Sequence, residues 1–169
     1  MRTGYLALAI ATLMTTTTLP AIAEDSGHWH GLGVLTVANE TTIKVEDRAN
    51  HVVRVLDEDG AIYNADGAPF LNKARYQVAA IIDSGVTGNG YKTFTDADGS
   101  KAFAKFTVTE SKPPELKGTF QFTGGTGKYT GITGNGTFDL VRISDKVAWD
   151  ELVGDYKLPT AVAGAANKN

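Results

Sequence analysis

The chain has 169 residues, 16 Lys and Arg against 19 Asp and Glu, a net charge of -3 and no cysteine. That length suits one domain, the charge removes the basic face a nucleic-acid binder needs, and no disulfide framework can hold the fold. At 42% hydrophobic and 21% charged the composition is that of a globular domain, and the excess lies in glycine, at 19 residues.

Residues 1–23 read as a secretory signal: Arg2 is the only charge, an apolar run extends from Tyr5 to Met14, and small residues end in Ala21-Ile22-Ala23. The apolar run is too short to span a membrane and Thr15 to Thr18 breaks it, so cleavage after Ala23 is expected. The exported chain would work in the periplasm or outside the cell, with no transmembrane segment.

Beyond Glu24, Leu32 to Val37 and Thr41 to Val45 read as a first pair of strands around an Asn39-Glu40 turn. His51 to Leu56 follows, stopped by Asp57-Glu58-Asp59-Gly60, and a short stretch Ala61 to Tyr63 is stopped by Asn64-Ala65-Asp66-Gly67. Arg75 to Ile82 is the most apolar run of the middle. Gly88 to Thr95 and Ala102 to Thr109 alternate with period two about Asp96-Ala97-Asp98-Gly99-Ser100 and form the clearest hairpin. Pro113-Pro114 interrupts the ladder; Lys117 to Thr123 and Thr137 to Ile143 alternate again. Ser144 to Leu152 reads as a short helix, Gly154 to Pro159 as a closing strand, and residues 160–169 as a flexible tail. About eight strands at this spacing indicate a sandwich or barrel, and eight close into a barrel wide enough for side chains or one small ligand.

Between the last long strands runs Phe122-Thr123-Gly124-Gly125-Thr126-Gly127-Lys128-Tyr129-Thr130-Gly131-Ile132-Thr133-Gly134-Asn135-Gly136. It opens no helix, and Gly127-Lys128 is followed by Tyr129, so it does not fit a phosphate-cradling loop. It reads instead as a connection with several positive-φ positions at a barrel rim. With Gly88-Asn89-Gly90-Tyr91, Asp96-Ala97-Asp98-Gly99 and Gly154-Asp155-Tyr156-Lys157-Leu158-Pro159, this phrase resembles the allene oxide cyclase-like and dirigent-like β-barrel superfamily. The resemblance covers residues 85–159. It implies an all-β, eight-stranded antiparallel, calycin-like barrel over residues 24–159 with a central, mostly apolar cavity, and it suggests a homo-oligomer, because related plant proteins form oligomers. Catalytic residues do not carry over from it.

His28-Trp29-His30 and His51 are the only histidines, with no cysteine or clustered carboxylate to complete a metal site, so neither metal nor cofactor is expected. The three Asx-x-Asp-Gly phrases lack the twelfth-position Glu of a calcium loop, having Ala68, Arg75 and Thr107 there, and read as turns. No nucleophile elbow or cysteine nucleophile is present. The remaining candidate site is the barrel interior, where Tyr91, Phe103, Phe120 and Phe122 would line a pocket and Lys105 or Arg142 would anchor an acidic head group. Lys92 and Lys105 each share a strand face with a phenylalanine; either that face meets solvent or the cation meets an anion inside. The expected function is to hold a small apolar or amphipathic molecule. The alternatives are a cyclase or isomerase of the allene oxide cyclase type, and a structural or envelope-associated barrel without ligand.

Overall fold

The computed structural model describes residues 24–84 and 86–159. The expected signal segment and the tail lie outside them. Eight strands follow one another: β1 (Glu24–Lys44), β2 (Val52–Asn64), β3 (Ala74–Asp83), β4 (Thr87–Thr95), β5 (Lys101–Lys112), β6 (Glu115–Gly125), β7 (Thr133–Arg142) and β8 (Val147–Pro159). Each pairs antiparallel with the next and β8 returns to β1, which closes the barrel. Closure removes both sheet edges, so a cysteine-free chain leaves no open ladder for another chain to extend.

Three local expectations are corrected. The first two predicted strands are one, β1, because Ala38 bulges out of the ladder and pairing resumes at Asn39. Asp57 to Gly60 lies within β2 rather than in a turn. Asp57 is exposed while Glu58 points inward, and Gly60 lies so close to β1 that a Cβ there would stand 1.8 Å from the Val34 carbonyl oxygen. No helix forms over Ser144 to Leu152. Those residues turn and enter β8, whose inward side chains are Ala148, Asp150 and Leu152, with Gly154 also buried. The β4 to β5 hairpin is as expected, with Gly99 at φ +82°. The glycine-rich connection carries a short 3-10 turn, Gly127–Tyr129, and positive φ at Gly124, Gly127, Gly131 and Gly134.

An up-and-down meander puts alternate connections at opposite ends. The sealed end holds the β2–β3, β4–β5 and β6–β7 connections, together with both ends of the described chain. Trp29, wholly buried, meets Phe70, Phe94 and Phe120 edge-on with centroids 5.7, 5.4 and 6.1 Å away. Phe70 and Leu71 of the β2–β3 connection fold over this cluster like a stopper. Asn64 Nδ2 donates to the Phe70 carbonyl at 3.1 Å, and the Leu71 amide donates to the Tyr129 hydroxyl at 3.3 Å. The Tyr129 hydroxyl in turn donates to Asp96 at 2.5 Å, and burial, followed by that bond, pushes its pKa above the ordinary phenol range. The opposite end, the mouth, is bordered by the β1–β2, β3–β4, β5–β6 and β7–β8 connections.

Candidate functional site at the barrel mouth

The inward face towards the mouth is mainly aliphatic, with Leu56, Val78, Ala80, Ile82, Val108 and Leu140 among its members beside Phe106 and Phe138. Four ionisable side chains interrupt it. The strand period of two explains how they arrive there: Lys92 precedes inward Phe94 by two residues, Glu58 follows inward Leu56, and Asp150 lies between inward Ala148 and Leu152. Arg142 ends β7 two residues beyond buried Leu140.

The deeper pair is Lys92 and Asp150, whose side chains are 2% and 0% exposed. Lys92 Nζ donates to Asp150 Oδ2 at 2.5 Å and also hydrogen-bonds the Tyr76 hydroxyl, which donates to the same carboxylate oxygen at 2.5 Å. The ammonium further faces the rings of Phe138, Phe106 and Tyr76, with centroids 4.6, 5.1 and 5.2 Å away. Burial, reinforced by the Asp150 charge, pushes the Tyr76 phenol well above its ordinary value of 10.0, so it remains a donor at any physiological pH. The shallower pair is Glu58 and Arg142, 2.7 Å apart, with side chains 3% and 20% exposed. Buried charges are stable only when paired, and here two cations meet two anions.

The pairing leaves polar atoms over. Arg142 Nη1 and Asp150 Oδ1 are buried and make no hydrogen bond, and Glu58 Oε1 has only its ion-pair contact with Arg142. Glu58, Lys92 and Arg142 line a cavity of about 20 Å³, room for one water. Arg142 also borders an open vestibule of about 720 Å³, formed with Glu40, Arg54, Pro114, Ser144, Asp145 and Lys146. Arg142 therefore stands at the neck between vestibule and interior. In the vestibule Arg54 pairs with Glu40 at 2.7 Å.

Of the residues expected to line a pocket, Phe120 and Phe122 are inside, but at the sealed end, where they pack against Trp29. Arg142 lies at the neck as a candidate should, although its charge is already met by Glu58 and is not free to anchor an acid. Tyr91, Phe103 and Lys105 do not line the interior. The inward members of β4 and β5 are Lys92 and Phe94, and Ala104 and Phe106, so the opposite set faces outward, with Tyr91 paired to Lys105 across the ladder. Lys105 borders a shallow outer groove of about 440 Å³. The two alternatives for lysine beside phenylalanine are both realised: Lys105 meets solvent and Lys92 meets an anion inside.

Sequence reasoning missed Glu58, Tyr76, Lys92 and Asp150 as site members. The available signal was a charge at an inward position of an otherwise apolar strand face, in β2, β4 and β8 alike. The histidines form no common site: His28 and His30 pair with Asp155 and Glu151 on the outer face near the sealed end, whereas His51 lies at the mouth between Asp47 and Asp83. Among the described residues no group of three or more histidines and carboxylates is arranged to hold a metal. A second groove, about 630 Å³ and largely apolar, runs outside the sealed end between Pro69, Phe70, Tyr156 and Leu158. Its Tyr129 and Lys128 are already bonded to Asp96, so it lacks the unmet polar atoms of the mouth.

No protein-family model matches the sequence, and no curated protein matches it either. Fifteen solved chains do. The pterocarpan synthase dirigent protein GePTS1 superposes with a TM-score of 0.50 at 14% identity, over 88% of this chain and 99% of that one. The pterocarpan synthase dirigent protein PsPTS1 gives 0.45 at 11% identity, over 80% and 96%. The fold is thus the dirigent-like barrel, closed by eight antiparallel strands.

Proposed function

We propose that this barrel binds a small amphipathic molecule at its mouth, with the apolar part among Leu56, Val78, Ile82, Val108 and Leu140 and a hydrogen-bonding group at the Glu58 and Arg142 neck. The observation that carries this reading is the set of buried polar groups in an otherwise apolar interior: Arg142 Nη1 and Asp150 Oδ1 have no hydrogen bond, and Glu58 Oε1 is met only by the Arg142 ion pair. Such atoms destabilise a fold by about 1–3 kcal/mol each unless water or a ligand meets them. Pockets for small molecules combine the same elements, apolar walls with a few convergent polar groups.

Charge balance narrows the class. Lys92 and Arg142 are matched by Asp150 and Glu58, so a further buried charge would go uncompensated, and a neutral ligand with hydroxyl or carbonyl groups fits better than an acid. Entry needs the neck to widen. Leu116 and Arg142 are the two partly exposed members of the cavity wall, and their displacement joins the interior to the vestibule. Export by cleavage after Ala23 belongs to the same proposal, because a binder in the periplasm or medium meets such molecules outside the cytoplasm.

The test is native mass spectrometry of the protein purified gently from its own host, with extraction and identification of whatever is bound. One recurring neutral amphipathic molecule, lost in an Arg142→Met, Glu58→Leu double variant, is the expected result. Repeated recovery of empty protein would overturn the reading and favour a barrel without ligand.

A further inference from the structure

Two members of the mouth site have chemistry that holding a ligand does not require. Lys92 is an ammonium with three N–H donors. Asp150 Oδ2 and the Tyr76 hydroxyl take two of them, and the third is left to the space bounded by Phe106 and Phe138, both of which line the same cavity. Glu58 contributes to that cavity a buried carboxylate whose Oε1 is ion-paired with Arg142 at 2.7 Å. A cationic N–H donor, anchored by Asp150, and an ion-paired carboxylate thus line one small enclosed cavity. This is the pairing that proton removal beside a carbonyl group needs: one group to take the proton, another to hold the charge that develops on oxygen.

We infer that the mouth site, if it binds as proposed above, enolises its ligand, and that the ligand class is a neutral, apolar carbonyl compound with an acidic α C–H. The Glu58 carboxylate takes the α proton, the C–H electron pair becomes the C=C bond of the enolate, and the carbonyl π pair moves onto oxygen, where the Lys92 N–H holds it. Glu58, now protonated, returns the proton to the same carbon or, in a β,γ-unsaturated ligand, to the γ carbon, which shifts the double bond. Atoms and electrons balance without any co-reactant, and both side chains end as they began. Asp150 and Tyr76 are positioning residues: they fix the ammonium from behind and do not touch the ligand. Arg142, 2.7 Å from Glu58 Oε1, holds the base in place at the cavity wall.

The probes are 2-tetralone, a neutral bicyclic ketone with acidic α protons, and 2-naphthol, which has the shape of its enol. Exchange of the tetralone C1 protons is followed by proton NMR in deuterium oxide, and naphthol binding by its fluorescence, on the whole protein. The wild type is expected to accelerate exchange roughly 100-fold over buffer, the lower range of a positioned general base. Glu58→Gln, nearly isosteric, should abolish the acceleration while naphthol still binds, and Lys92→Met should reduce both. Asp150→Asn should move the pH profile of exchange, a change that a purely structural role would not produce. Naphthol binding without faster exchange, or acceleration that survives Glu58→Gln, overturns the inference and leaves the binding reading intact. Failure of both probes to bind also overturns it, and the binding reading is then judged by what is extracted from the host.

Discussion

The two ends of the barrel solve the same packing problem in opposite ways. At the sealed end Trp29, Phe70, Phe94, Phe120, Phe122 and Tyr129 fill the bore ring against ring, and the stopper is tied down by hydrogen bonds, with the Trp29 Nε1 left buried without one. At the mouth the wall is mainly aliphatic with Phe106 and Phe138, four ionisable groups intrude, and Arg142 Nη1 and Asp150 Oδ1 remain unmet. Apolar groups of the right volume would have filled the mouth as well as the ring cluster fills the other end, and a buried ion pair is often no more stable than its hydrophobic replacement. The contrast teaches that stability is concentrated at one end, which leaves the other free to carry groups that chemistry or recognition requires.

The comparison can be broken most sharply at its aromatic centre. Trp29→Ala should lower unfolding free energy by about 4 kcal/mol, the usual cost of removing a large buried aromatic side chain, as read from the midpoint of urea denaturation. Lys92→Met should cost about 3 kcal/mol, because it leaves Asp150 buried without its cation, whereas the double variant Lys92→Met, Asp150→Leu should recover most of that loss. If the double variant is as unstable as the single, the ion pair is a structural necessity and the division between the ends fails. Tyr129→Phe removes the link between the stopper and Asp96 at a cost of about 1 kcal/mol, and it should leave ligand binding at the mouth unchanged.

The smallest effect concerns pH. His51 at the mouth is held by Asp47 and Asp83, and the Asp47 hydrogen bond, the largest cause, raises its pKa above the ordinary 6.5. A raised folded value means that the protonated form binds the native state better. The contribution is complete below about 6.5, the unfolded value, and fades as pH rises through the folded one. Thermal unfolding of wild type should therefore lose a small increment of Tm across that window, and His51→Gln should flatten it. An identical pH profile in the variant would show that the histidine does not brace this connection.

Much of the architecture was legible because strands write their period into the sequence. Gly88 to Thr109 alternates cleanly, and the glycine-rich connection marks its own positive-φ turns. What period two does not say is which face is inside. Tyr91 and Lys105 looked like pocket residues on aromatic content alone, yet the other set, Lys92, Phe94, Ala104 and Phe106, is the inward one. The turn expected at Asp57 to Gly60 failed for a related reason. Charged residues beside a glycine look like loop, but Glu58 is an inward site residue and Gly60 is there for close approach of β1. The bulge at Ala38 leaves no mark in composition, so two strands were read where one runs on. The site itself was half visible, in Arg142 and in the question posed by a lysine beside phenylalanine. Its anion, Asp150, lies 58 residues away from Lys92 along the chain, and only the closed sheet brings them together.

The most direct test of the division between the ends is a methyl NMR titration of the protein with 2-naphthol. The account predicts shifts confined to the methyl groups of Leu56, Val78, Ala80, Ile82, Val108, Leu116 and Leu140 around the mouth, with those of Ile62, Leu71 and Ile132 at the sealed end unmoved. Shifts centred on the sealed end, or spread evenly over both, would contradict it.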